Sequence, residues 1–154
     1  MAELELNRIS GRLYALEGVG TLRFTSWTSR AATAEAGRLS WQITRSGIFG
    51  PVIHAADATG ALVGNFKGRT LHGAGTLQWG NRPLSLRRDS FWRQRYVVVD
   101  GDRPLVILTG KGWGKRRVKV VLDDAATIDP GLLLFVVFVV RALATDAVTA
   151  IASG

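Results

Sequence analysis

A chain of 154 residues fits one domain and can bury a core without covalent staples. It contains no cysteine, which excludes a disulfide framework, thiol catalysis and thiolate metal sites. Twenty basic against twelve acidic side chains give a formal charge of +8, and sixteen of the twenty are arginine. That arginine bias, with abundant Ala and Gly, fits a GC-rich bacterial genome.

The first ten residues place Glu3 and Glu5 before any basic side chain and hold no long apolar run. They do not read as a secretory signal, and a cytoplasmic location with peripheral membrane contact is the expectation. From Leu4 to Leu122 short alternating segments follow one another. Leu22 and Phe24 alternate with Thr21, Arg23 and Thr25; Leu39, Trp41 and Ile43 alternate with Ser40, Gln42 and Thr44. Leu62, Gly64 and Phe66 share one face, as do Leu84 and Leu86. Tyr96 to Val99 and Leu105 to Leu108 are continuously apolar, as strands covered on both faces would be. Val118, Val120 and Leu122 alternate with Arg117, Lys119 and Val121.

Turn chemistry falls between these segments. Asp57-Ala-Thr-Gly60 suits a type I turn, Gly80-Asn81 separates two strands, and Asp100-Gly101-Asp102 links two more. About ten to twelve strands at this spacing predict an antiparallel barrel or sandwich.

The period then changes. Asp129-Pro130 supplies a helix cap and a first helical residue that needs no donor. Leu132 to Val140 is apolar on every side, so a helix there must be buried all round. Beyond Arg141, Leu143, Ala147, Ala150 and Ile151 oppose Thr145, Asp146 and Thr149. The valines and phenylalanines would also suit a strand. A membrane anchor is disfavoured, because spanning helices need about twenty apolar residues. Ten helical residues span about 15 Å, about the height of a barrel of tilted strands. The expectation is therefore a mainly β domain over 1–154. It is a closed antiparallel barrel of about 10–12 strands, roughly 3–122, enclosing a C-terminal hydrophobic α-helix, roughly 130–152.

Three segments carry a family likeness: HAADATGALVGNF at 54–66, FWRQRYVVVDGDRPLVIL at 91–108 and PGLLLFVVFVV at 130–140. They resemble the tubby C-terminal-like superfold, and within it the LURP-one-related and phospholipid scramblase branch; the chain is also similar to actinobacterial proteins. The resemblance implies a barrel around a hydrophobic helix. No phosphoinositide-binding positions match residue by residue, so none are carried over. The cysteine-rich segment and proline-rich arm of scramblases are missing.

Catalytic constellations are not legible. His54 and His72 stand eighteen residues apart without carboxylates at ligand spacing, so no metal site is expected. The pairs Asp100/Asp102 and Asp123/Asp124 read as turn residues. No G-x-S-x-G elbow occurs, and residues 110–117 fail the phosphate-loop pattern because Thr109 replaces its first glycine. No cofactor is expected. Two cationic clusters remain as candidate ligand sites. Lys111, Trp113, Lys115, Arg116 and Arg117 form the first; Arg87, Arg88, Arg93 and Arg95, around Phe91-Trp92, form the second. Arginine forks and glycine-rich amides suit anions. The expected function is a non-enzymatic module for anionic lipid headgroups or another phosphorylated ligand. The alternatives are a structural or protein-interaction domain and, behind it, a nucleic-acid binder.

Overall fold

Twelve strands follow one another without a crossover. They are β1 (Ala2–Ser10), β2 (Leu13–Leu16), β3 (Gly20–Phe24), β4 (Ala31–Ala36), β5 (Leu39–Ser46) and β6 (Val52–Asp57) in the first half. The second half adds β7 (Leu62–Gly68), β8 (Gly75–Trp79), β9 (Arg82–Ser90), β10 (Arg95–Asp100), β11 (Arg103–Thr109) and β12 (Val118–Leu122). Each strand pairs antiparallel with its sequence neighbours, and β12 returns to β1, with Ala2 opposite Leu122, to close a barrel. The structure, a computed structural model, describes residues 2–25, 30–46, 51–68, 74–90, 95–109, 118–123 and 128–153.

Alternation decides the inner face. Leu22, Phe24, Ile43, Ile53, Phe66, Leu77, Leu86, Tyr96, Val98 and Val120 all point inward and are buried. The short hairpins β2–β3, β4–β5, β6–β7, β8–β9 and β10–β11 all turn at one end, here the hairpin end. In the β6–β7 turn Gly60 adopts a φ of 89°, which an L side chain would strain.

That turn is locked by Asp57. Its Oδ1 accepts bonds from the Thr59 hydroxyl at 2.6 Å and from the backbone N–H of Thr59 and Ala61 at 2.9 and 3.1 Å. The Thr59 hydroxyl, before the amides, holds the carboxyl below its ordinary value of 3.8. A depressed folded pKa stabilises above the unfolded value, and that contribution fades as pH falls through the folded one. A carboxyl NMR titration of Asp57 should therefore give a midpoint below 3.8, and Thr59→Val should raise it.

The helix α1 (Pro130–Ser153) enters at the hairpin end and leaves at the opposite, or exit, end. The Gly131 amide donates to Asp129 Oδ1 at 2.8 Å and the Leu133 amide to Asp129 O at 3.1 Å, so the sequence-predicted cap is present. Every side chain from Leu132 to Val140 is at most 4% exposed. A strand there would leave its backbone groups without partners inside a closed sheet, whereas a helix satisfies its own. Each buried Leu, Val or Phe contributes about 1.5–3 kcal/mol of hydrophobic stabilisation. The helix packs against β3, β4, β5 and β7. Ala32 and Ala34, both fully buried, supply the small side chains this approach needs on β4.

Aromatic contacts pin the helix along its length. Near its start Trp79 meets Trp41 at 6.2 Å between ring centroids and Phe135 at 5.6 Å. Further along, Phe138 stacks on Phe24 at 5.7 Å. Two expectations about facing are corrected. Leu39 is 58% and Leu62 69% exposed rather than inward. Leu39 opens its strand beside a hairpin, and a register shift between Ala55 and Ala56 takes Leu62 out of the inward phase.

Candidate functional site

At the exit end the inward phase of three strands finishes on arginine. Leu4, Leu6 and Arg8 share one face of β1; Trp41, Ile43 and Arg45 share one of β5; Leu84, Leu86 and Arg88 share one of β9. Cross-strand partners fix this orientation: Arg8 lies opposite Tyr14, Arg45 opposite Ile53 and Arg88 opposite Tyr96, all three partners being buried and inward. In the closed order β1, β5 and β9 are each four strands apart, about a third of the circumference.

A fourth arginine stands near the axis. Arg141 is the first charged residue after the apolar half of α1, and it is half-buried. Its guanidinium carbon lies 4.7 Å from the Phe24 ring centre and 5.2 Å from that of Tyr14, and Nη1 donates to the Tyr14 hydroxyl at 3.1 Å. The charge is thus held against the aromatic layer that closes the apolar interior.

The two ends differ in sign. Around the exit end stand also Arg12, Arg30, Lys67, Arg87 and Arg95, against Asp89 and, on the emerging half of α1, Asp146. The hairpin end holds Glu17, Asp57, Asp100, Asp102, Asp123 and Asp129 against Arg38, Arg82 and Arg103. Two of those carboxylates are paired, Asp100 with Arg82 at 3.0 Å and Asp123 with Arg103 at 2.7 Å, which accounts for them structurally. This arrangement complements the dipole of α1, whose N-terminus lies at the acidic end and whose C-terminal half lies at the basic one.

The sequence-predicted clusters fare unevenly. Lys111, Trp113, Lys115, Arg116 and Arg117 lie outside the described residues, as do Arg93 and His72. The residues that bracket both segments, Ser90 and Arg95 for one and Thr109 and Val118 for the other, all lie at the exit end. Within the second cluster Arg87 points outward, opposite Val97, while Arg88 points inward. Arg95 sits at a register shift and pairs with Asp89 at 3.5 Å. Arg8, Arg45 and Arg141 were not among the sequence candidates.

His54 belongs elsewhere, on the outer wall opposite Thr44 and Asn65. Among the described residues no group of three or more His, Cys, Asp or Glu could hold a metal ion. None of the helices is long and apolar enough, over its described residues, to cross a membrane. Comparisons with protein-family models, with curated proteins and with solved structures find no match.

Proposed function

We propose that the protein is a non-enzymatic binding module whose exit end holds an anionic partner, a lipid headgroup or another phosphorylated ligand. The carrying observation is the placement of Arg8, Arg45 and Arg88 around the mouth through which α1 and Arg141 leave, where cations outnumber the carboxylates Asp89 and Asp146. Kinship with the tubby-like superfold is part of the same proposal, as is a peripheral site of action at the cytoplasmic face of a membrane.

Geometry favours a spread of anions over one phosphate. Twelve strands spaced about 4.8 Å and tilted about 40° give a barrel radius of about 12 Å. A helix about 10 Å across fills the axis, so the three strand arginines surround α1 instead of converging. An array of headgroups meets such a ring; a lone phosphate meets one or two of its members. Each basic group near an anionic surface contributes about 1 kcal/mol, so several acting together give useful affinity without a deep pocket.

Co-sedimentation with phosphatidylserine-containing vesicles tests this. Attachment should be strong at low salt, absent with phosphatidylcholine alone, and weak once the screening length falls to about 8 Å at 0.15 M. Charge reversal of Lys115, Arg116 and Arg117 together should abolish it, and the paired change Arg45→Gln and Arg88→Gln should weaken it by about thirtyfold. Circular dichroism should report the parent fold in each variant. Salt-indifferent attachment or preferential capture of single-stranded DNA would overturn the reading, and displacement of vesicles by an equal concentration of inorganic phosphate would assign the end to a single phosphorylated ligand instead of a headgroup array.

A further inference from the structure

On the outer wall a row of polar side chains crosses four strands. Thr44 of β5, His54 of β6, Asn65 of β7 and Gln78 of β8 stand directly opposite one another in register, and Pro83 of β9 continues the row. A parallel row, one step nearer the exit end, runs through Lys67, Thr76, Ser85 and Val99. Two depressions open along these rows. One, of about 220 Å³, lies between His54, Leu62, Asn65 and Gln78; the other, of about 290 Å³, lies between Asn65, Gln78, Pro83, Ser85 and Val99. Asn65 and Gln78 border both, so the two form one groove across β6 to β10.

Neither depression is lined by a Lys, Arg, Asp or Glu, in a chain that carries thirty-two of them. The backbone beneath is committed to the ladders of β6 to β9, so side chains must do any recognition. His54 Nδ1 is buried and has no hydrogen-bond partner. A buried polar atom left unpaired costs stability, and native structures leave few of them. An imidazole and two carboxamides each offer both a donor and an acceptor, which is the pairing that a hydroxyl, itself donor and acceptor, satisfies best. Leu62, 69% exposed, together with the exposed Pro83 offers apolar surface beside them.

We propose that this groove binds an uncharged saccharide of two or so rings, its hydroxyls on His54, Asn65 and Gln78 and its C–H faces on Leu62 and Pro83. A charged ligand would find no counter-charge in the lining, Lys67 standing beside Thr76 without lining either depression, and a wholly apolar one would leave the imidazole and both amides dry. The site is independent of the cationic end, and its shallow walls imply weak binding, since established small-molecule sites start at about 300 Å³ and enclose their ligands.

Amide-resolved NMR titration with maltose, cellobiose and N,N′-diacetylchitobiose tests it on the full chain. At least one disaccharide should shift the resonances of His54, Asn65, Gln78 and Ser85 and leave those of Arg45 and Arg88 in place. His54→Ala and Gln78→Ala should each weaken binding about tenfold, the value of one hydrogen bond to a buried polar group, while melting as the parent does. Affinity should be equal at low and high salt, which separates this site from the cationic rim. Absence of shifts with all three sugars, or shifts unchanged in both variants, would overturn the proposal.

Discussion

Phe138→Asp should not yield a folded protein. Phe138 is 1% exposed, stacks on Phe24, and lies three residues before Arg141 on a helix whose neighbours from Leu132 to Val140 are equally enclosed. Arg141 stands at i+3, but its guanidinium is held by the Tyr14 hydroxyl and the Phe24 ring, contacts that a carboxylate at 138 would have to break to pair with it. Burying an unpaired ion costs several kcal/mol even after relaxation, and its neutral form still lacks hydrogen-bond partners. Domains of this size are stable by about 5–15 kcal/mol, and the lost aromatic packing takes about 3–5 of that on its own. The variant should therefore be recovered as insoluble or non-cooperatively melting protein, and Phe138→Ala as folded protein with a clearly lower Tm. If Phe138→Asp were soluble with an unchanged Tm by circular dichroism, α1 would not be the filling of the barrel.

The fold was legible because its determinants are local. Period-two alternation over Leu22 to Phe24 or Leu84 to Leu86 marks an inner face, and Asp129-Pro130 marks a helix start. A run of nine apolar residues on all sides of one helix demands an enclosing wall. Where local pattern failed, a non-local cause intervened. Leu62 looks like an inner residue until the register shift opposite Ala55 and Ala56 is counted.

The site was less legible for the same reason. Grouping arginines by nearness in the chain joins Arg87 to Arg88, yet adjacent residues on a strand point to opposite faces. The informative signal was the repeated apolar-x-apolar-x-Arg phase at 4/6/8, 41/43/45 and 84/86/88. That these three strands stand four apart in a closed order is a property of the whole ring, with no mark in any one segment. The row of His54, Asn65 and Gln78 likewise exists only once three hairpin registers are set.

Gly131→Ala should destabilise the protein, against the usual sign of that change in a helix. In an exposed helix interior alanine is favoured over glycine by about 1 kcal/mol. Here the added methyl would stand 2.6 Å from Cζ2 of Trp41 and 2.7 Å from Cζ2 of Trp79. Both rings are packed against further neighbours. Trp79, half-buried, also lies on Gly64, where a Cβ would meet the ring at 2.5 Å, and on Phe135. Trp41, 7% exposed, is held against Trp79. Overpacking of this kind costs about 1–3 kcal/mol, more than the gain in helix propensity. Gly131→Val should cost more still, since it adds two further methyl groups and a stiffer χ1. The cause can be isolated by a second change. Trp41→Phe removes the atoms in closest approach, so in the Gly131→Ala background it should cost much less than in the parent, with a coupling of about 0.5–3 kcal/mol across the double-mutant cycle. Urea unfolding followed by tryptophan fluorescence measures all four corners. A Gly131→Ala protein as stable as the parent, or strict additivity with Trp41→Phe, would mean that the two tryptophans do not clamp the start of α1.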